Sequence, residues 1–495
     1  MNQRNRVSIE SVPTGSAGLD AVLNGGLPEF SLNLIAGAPG SGKTTLAHQI
    51  MFANASRERP ALYFTVVGEP PVKMLRYQQQ FSFFNPDRVA EGAIRFVNLT
   101  RLALANDLDG VLETVIRETD KVSPSVVVVD SFRTVMPFPT ADGAGTQWQS
   151  FVRGLAVHLT TAQATTFLVG EYGEQEDQYN PVFTVADGIL WLHQSVQGNS
   201  MVRRIQIMKM RGRATMSGLH TLRIGGDGID VFPRLHRPFA QKRRVEVDHR
   251  RLSVGVPGVD ELLGGGIPEG DSVLVAGPAG SGKTLLSTSF INEGIRQGEP
   301  GVIVVFEEHP NAYLDRAKRL GFDLEQMIRE NQLRVIYLRP LDLSVDETLE
   351  AIHQSVDAVG AHRVVIDSLS GFELALAPTF REDFRESMYR LVGALTGVGI
   401  TVLLTVEVSE SLNELRLSPD VISFLTDDII LQRYAEIDSQ LKRMMTVVKM
   451  RRSAHSKDIR SYEITSAGLV VGETLKGYQG LISGIPMPLE RRRTS

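Results

Sequence analysis

The chain has 495 residues, 42% of them hydrophobic and 22% charged, with a formal net charge of −5 and no cysteine. That length exceeds what one hydrophobic core organises, so two or three domains are expected, with the composition of an ordinary folded protein. Disulfides, thiolate metal sites and a thiol nucleophile are excluded, and the acidic balance argues against holding nucleic acid by bulk charge.

The N-terminus, MNQRNRVSIESVPTG, lacks the apolar stretch of a secretion signal, and no apolar run is long enough to span a bilayer. With the absence of cysteine, this makes a cytoplasmic protein without membrane contact the expectation. Next comes a lead-in with Gly15, Gly18, Asp20 and GGLPE at 25–29. SLNLIAG predicts a strand, GAPGSGKTT at 37–45 a phosphate-binding loop, and TTLAHQIMFANAS a helix with apolar residues at helical spacing. In G-x-x-x-x-G-K-[ST], glycines let backbone N–H groups face phosphate oxygens at a helix N-terminus. The lysine neutralises β/γ charge and the hydroxyl holds magnesium. The expected ATP contacts are Gly40, Ser41, Gly42, Lys43, Thr44 and Thr45. ALYFTVV, AIRFVNL, SVVVVDS and TTFLVGE then read as buried strands, and VVVVD places Asp130 where a magnesium-binding acid is needed beside Thr44. Lys209-Met210-Arg211 closes the first pattern.

The pattern then repeats 240 residues on. Gly255, Gly258, Asp260 and GGIPE at 265–269 lead into GPAGSGKTL at 277–285, and Lys449-Met450-Arg451 matches the first K-M-R. The expected contacts are Gly280, Ser281, Gly282, Lys283, Thr284 and Leu285, with Thr284, Asp367 and Glu307 about the metal. DSVLVAG, GVIVVFEE, LRVIYL, RVVIDS and TVLLTVE are the second set of strands. Strands alternating with helices indicate α/β domains, each a mainly parallel sheet flanked by helices. The expected organisation is an N-terminal domain at 1–233, a linker at 234–251, a C-terminal domain at 252–480 and a tail at 481–495. The linker carries seven Arg/Lys against two acids and reads as a solvated basic stretch.

The copies differ where hydrolysis needs a carboxylate to orient or deprotonate water. GVIVVFEE ends on Glu307 and Glu308, thirty and thirty-one residues after Gly277. The same count from Gly37 lands on Val67 and Gly68, although Glu69, one residue beyond, could act through a shifted loop.

These residues together resemble the KaiC family of circadian-clock ATPases and autokinases: tandem RecA-type domains, two GSGKT loops, paired glutamates, DSL after a strand, repeated K-M-R, LTDDIILQRYAEI at 425–437 and LISGIPMP near the end. The resemblance covers about residues 12–484 and implies hexameric rings with ATP between subunits. It assigns Lys209, Arg211, Lys449 and Arg451 to a neighbour's nucleotide, groups Arg203 and Arg443 with them, and makes Glu307 the catalytic base beside Glu308 and Lys283. It also implies autophosphorylation just before the TD-x-II segment, where Ser423 matches the acceptor serine and Phe424 replaces the threonine. The short tail makes a KaiA-type activator unexpected; a KaiB-like partner remains open. An ATP-gated signalling scaffold is the alternative. A nucleic-acid motor fits less well, because FPTADGAGTQWQS and APTFREDFRE contain few cations and no nucleic-acid partner is expected.

Overall fold

A computed structural model describes residues 9–66, 71–136, 144–173, 180–197, 200–234, 250–338, 343–376, 380, 384–408, 426–466, 468–482 and 486–488. The chain divides into two compact units, Met1–Leu235 and His236–Ser495.

In the first unit the main elements are β1 (Leu32–Gly37), α1 (Lys43–Asn54), β2 (Ala61–Thr65), β3 (Ile94–Asn98), α2 (Leu108–Val122), β4 (Val126–Asp130), α3 (Ala144–Thr161), β5 (Thr165–Glu171), β6 (Gly188–Gln197), β7 (Ser200–Met210), β8 (Leu219–Gly225) and β9 (Gly228–Phe232). They build a nine-stranded sheet of order β3-β2-β4-β5-β1-β6-β7-β8-β9. Pairing is parallel from β3 to β6 and antiparallel from β6 to β9. The run VVVV in β4 is buried on both faces: Val127 and Val129 enter one core cluster with Leu62 and Phe64, while Val126 and Val128 enter the other with Ala61 and Tyr63. This pleat alternation explains why these strands read as continuous apolar runs.

The second unit repeats the plan with β10 (Ser272–Gly277), α4 (Lys283–Arg296), β11 (Gly301–Val305), α5 (Pro310–Arg319), β12 (Leu333–Tyr337), α6 (Val345–Val359), β13 (Arg363–Asp367), α7 (Phe384–Thr396), β14 (Thr401–Glu407), β15 (Asp428–Ile437), β16 (Gln440–Met450), β17 (Arg460–Thr465) and β18 (Gly468–Thr474). Its order, β12-β11-β13-β14-β10-β15-β16-β17-β18, is the same topology. The 240-residue offset holds for β1/β10 and β2/β11, shrinks to 236 by β5/β14, and returns to 240 at β6/β15. The segment between β14 and β15 spans 408–427, against 172–187 between β5 and β6, so the second copy is four residues longer there.

The repeated lead-in has a physical reason. Asp20 accepts from the Thr14 amide and hydroxyl, both at 2.8 Å, and Asp260 accepts from the Val254 amide at 2.8 Å and Ser253 Oγ at 2.6 Å. A Cβ on Gly18 would lie 1.6 Å from Val231 O, and one on Gly258 would lie 2.5 Å from Val471 Cβ, so the short helices Ala17–Val22 and Pro257–Leu262 need glycine there to pack on the sheet edge. Among the described residues no helix is long and apolar enough to cross a membrane.

Candidate nucleotide sites

Each phosphate loop joins the end of a central strand to a helix. Gly42 and Gly282 stand at the helix N-caps with φ of 105° and 95°, a conformation that glycine adopts without steric cost. A Cβ on Gly42 would come within 2.8 Å of Ile224 Cδ1, and one on Gly282 within 3.0 Å of Ile464 Cδ1, so each loop is seated on the antiparallel flank. Gly40 and Gly280 also have positive φ, and Ser41 and Ser281 are buried. Thr45 and Leu285 fall in the first helical turn, where unpaired amides face outward; the Leu285 side chain itself packs into the core. The arrangement is an anion cradle at a helix N-terminus.

Lys43 Nζ donates to Ala38 O at 2.8 Å, and Lys283 Nζ donates to Gly277 O and Pro278 O at 2.8 Å. Burial lowers the pKa of both lysines, and nearby carboxylates oppose that shift. Around Lys43 these are Glu171 and then Asp130; around Lys283 they are Glu407, Asp367 and Glu307.

The strand-end acids stand where the sequence places them. Asp130 Oδ2 accepts from Thr44 Oγ1 at 2.7 Å and Tyr63 OH at 2.8 Å, while burial pushes its carboxyl above the usual range. Asp367 Oδ1 accepts from Thr405 Oγ1 at 2.6 Å. Among the described residues no three His, Asp or Glu cluster to cage a metal. A loop hydroxyl beside one acid fits magnesium, a cation that arrives with waters and phosphate oxygens rather than needing an all-protein cage. Thr44 with Asp130, and Thr284 with Asp367, would hold it.

The second site carries the paired glutamates. Glu307 Oε1 accepts from Ser368 Oγ at 2.7 Å, which turns it toward the end of β13, and it acts on Lys283. Glu308 is directed elsewhere, to Arg316 Nη2 at 2.5 Å; burial raises its pKa and Arg316 opposes that. A cavity of about 280 Å³ opens at this loop, lined by Lys283, Thr284, Tyr313, Arg316, Leu320 and Ile464 among others. Val67, Gly68 and Glu69, like Ser423 and Phe424, lie outside the described residues.

The repeated cations divide into two groups. Lys209 lies opposite Ile189 near the start of β6, at the sheet end remote from the loop, and its Nζ donates to Phe183 O at 3.2 Å and Thr184 O at 3.1 Å. Arg211 Nη1 donates to Asp187 Oδ1 at 3.2 Å. Lys449 Nζ donates to Thr426 O at 2.6 Å, and Arg451 Nη1 stands 3.8 Å from Asp427 Oδ1. Strands of this length put about 20 Å between those cations and their own loop. Arg203 and Arg443 stand nearer the loop end of the sheet within the chain. Arg203 Nε donates to Gly40 O of its own chain at 3.3 Å. Arg443 lies opposite Tyr434, whose OH donates to Ala279 O at 3.4 Å. Each arginine lies six residues before the K-M-R lysine on a strand that spans the sheet, and the Arg443 guanidinium stands 5.7 Å from the Tyr434 ring centroid.

A family model described as "ATPase: KaiC" matches the chain twice, over residues 12–236 and 252–476. The chain belongs to the KaiC family. The circadian clock oscillator protein KaiC of Parathermosynechococcus lividus is 28% identical over 485 residues, which is 96% of this chain and 87% of the relative. The protein of the same name from Picosynechococcus sp. is 29% identical over 491 residues, 97% of this chain and 92% of the relative. Circadian clock oscillator protein KaiC 1 of Synechocystis sp. is 28% identical over 504 residues, 98% and 94% of the two chains.

As a KaiC-family protein the chain has tandem P-loop ATPase domains, and nucleotide binding follows from the family. Sequence reasoning missed several side chains at the two KaiC-type sites. Arg316 meets Glu308 eight residues away, while Tyr63 and Thr405 act through partners distant in sequence and leave no local signal. Glu171 and Glu407 did leave one, because TTFLVGE and TVLLTVE, the strands beside the two loop strands, both end on glutamate.

Proposed function

We propose that this chain is a ring-forming, magnesium-dependent ATPase whose second site is the stronger hydrolase and autophosphorylates Ser423, acting in signalling or circadian-type timing. The observation that carries the reading is Glu307, held by Ser368 at 2.7 Å beside Asp367 and Lys283. A carboxylate there can take the proton of an attacking water or serine hydroxyl as the γ-phosphoryl group moves, while Lys283 and magnesium spread its charge. Lys209, Arg211, Lys449 and Arg451, remote from their own loops, serve the ATP of a neighbouring subunit in a homohexamer. Arg203 and Arg443 join them at the neighbour's nucleotide, and Arg203 also donates to Gly40 O of its own loop. The relatives' role as clock oscillator proteins supports timing, with a KaiB-like protein as the partner class. A cytoplasmic location fits this reading. An ATP-gated scaffold is favoured by a different feature, the Val67-Gly68 pair of the first copy.

The test is Mg-ATP turnover and phosphopeptide mapping of the intact chain. Glu307→Gln with Glu308→Gln retains ATP binding while losing roughly 100-fold in second-site turnover, the scale of a lost general base. The unmodified chain gains one phosphate, at Ser423. Unchanged hydrolysis in the double variant removes the base assignment, and turnover without phosphate on Ser423 leaves the scaffold or a plain ATPase.

A further inference from the structure

The first site lacks a carboxylate at the positions equivalent to Glu307 and Glu308. The sheet register supports that equivalence: Thr65 pairs with Asp130 as Val305 pairs with Asp367. A P-loop with a strand-end acid and no water-activating group would bind ATP and hydrolyse it poorly. Yet another acid stands at this site. Glu171 ends β5, directly between the loop strand β1 and the acid strand β4. It pairs in register with Gly37, where the loop begins, and its neighbour Val169 pairs with Asp130. Its side chain is exposed at the phosphate end of the sheet.

The backbone under Glu171 is fixed by close packing. A Cβ on Gly170 would lie 2.5 Å from the Tyr172 ring and 3.2 Å from Arg133 Cβ, and the Arg133 guanidinium lies 5.8 Å from the Tyr172 ring centroid. Among the described acids, Glu171 acts on Lys43 more strongly than Asp130 does, although Asp130 holds the loop threonine. It is therefore a near carboxylate, free of the Thr44 and Tyr63 hydrogen bonds that occupy Asp130.

We propose that Glu171 is the water-activating carboxylate of the first site, reaching the γ-phosphate from the strand next to the loop rather than from the strand beyond Asp130. The step is ordinary hydrolysis. A water oxygen bonds to the γ-phosphorus, the bond from that phosphorus to the β–γ bridging oxygen breaks, and the water's proton passes to Glu171, leaving ADP and inorganic phosphate. Lys43 stabilises the charge that collects on the transferring group, and magnesium held by Thr44 and Asp130 would add to this. Glu407 occupies the matching place in the second copy, paired with Gly277, where Glu307 already stands. The second site thus has two approaches to the water, and the first has one.

This inference rests on the ATPase reading of the first site, and its test separates the two. The experiment uses the full chain carrying Glu307→Gln and Glu308→Gln, so that residual Mg-ATP hydrolysis comes from the first site. Glu171→Gln on that background lowers residual phosphate release by about 10- to 100-fold. It leaves ATP binding at the first site, measured by equilibrium dialysis with Lys283→Ala added, within a few-fold of its parent. Glu69→Gln, the rival, changes the residual rate less than twofold. A Glu171→Gln rate within twofold of its parent overturns the proposal, as does a collapse with Glu69→Gln, or a loss of ATP binding with Glu171→Gln. A background without residual turnover overturns it too, while the Glu307 reading of the second site survives.

Discussion

The two sites hold the same acid in the same place by different means. In the first, Asp130 is gripped by Tyr63 from β2, and Tyr63 stacks on His48 of α1 with ring centroids 4.6 Å apart. In the second, the Tyr63 position is Ile303, and Asp367 is held by Thr405 from β14 on its other side. The His48 position is Thr288, which pairs with Tyr313 of α5 at 3.0 Å. Each copy therefore buries one tyrosine against the loop helix, but only the first ties it to the acid. What the fold specifies is a half-buried strand-end carboxylate with a hydroxyl donor; the element supplying the donor is free to change.

A second difference lies at the opposite end of the same strands. Arg363, the first residue of β13, is fully buried. Its Nε donates to Glu299 Oε2 at 2.8 Å, its Nη2 pairs with the same oxygen at 2.6 Å, and its Nη1 donates to Ser253 O and Phe290 O at 2.8 Å. Its counterpart in β4 is Val126, which packs among apolar side chains. The sharpest way to break the comparison is Arg363→Met. Leaving Glu299 buried without its main partner costs about 3–5 kcal/mol. Peptide-resolved hydrogen exchange should show the loss in the second unit while the first keeps its protection. A loss shared by both units means that they do not fold independently.

The next effect is a pH dependence of opposite sign. Burial lowers the His48 pKa from 6.5 to about 4, so between those values the unfolded chain binds a proton that the folded unit refuses. First-unit stability therefore falls as pH drops from 6.5 to 4, by about 3 kcal/mol in full. In the second unit, burial raises Asp271 to about 6, reinforced by the charge of Asp427, and Asp428 to about 7, reinforced by Asp271 and then Asp427. The folded form holds those protons above 3.8 while the unfolded chain releases them, so stability falls as pH rises through that window. Exchange protection measured at several pH values from 4.5 to 8 should slope upward in the first unit and downward in the second. His48→Gln should flatten the first slope, and Asp428→Asn the second; equal slopes in both units defeat the assignment.

The smallest effect concerns the acid's grip. Tyr63→Phe removes one of the two hydroxyls on Asp130 and should cost about 1 kcal/mol in the first unit. Ile303→Tyr would have no such acid to meet, because Asp367 is already engaged by Thr405. Thermal unfolding of the two variants checks this, and equal destabilisation by Tyr63→Phe and Tyr63→Leu means that packing, not the hydrogen bond, carries the residue.

Much of this was legible in the sequence, because the central strands are buried on both faces and read as apolar runs. TTFLVGE and TVLLTVE match β5 and β14 residue for residue. Gly42, Lys43 and Thr44 were identifiable because phosphate binding demands those residue types at that spacing. The antiparallel flank was not read, since strands such as SMVRRIQIMKM carry polar side chains on a half-covered face and lose the continuous pattern. The bond from Arg203 to Gly40 O was hidden for the same reason: spacing from Lys209 gives its distance along a strand, while the strand's direction decides which loop it meets. Tyr63 and Thr405 depend on pairing across the sheet, which no local window reveals.

The changing offset between the copies has one more consequence. The second copy recovers its lost residues between β14 and β15, and that is the stretch containing Ser423. Four extra residues add about 14 Å of contour to a peptide anchored at both ends by neighbours of the loop strand β10. If Ser423 accepts phosphate, as proposed above, that acceptor is tethered: its local concentration is set by tether length and not by how much protein the cell contains. Phosphate transfer to Ser423 would then run at a rate independent of chain concentration once rings are formed, which is the property a timing device needs if its period is to be insensitive to expression level.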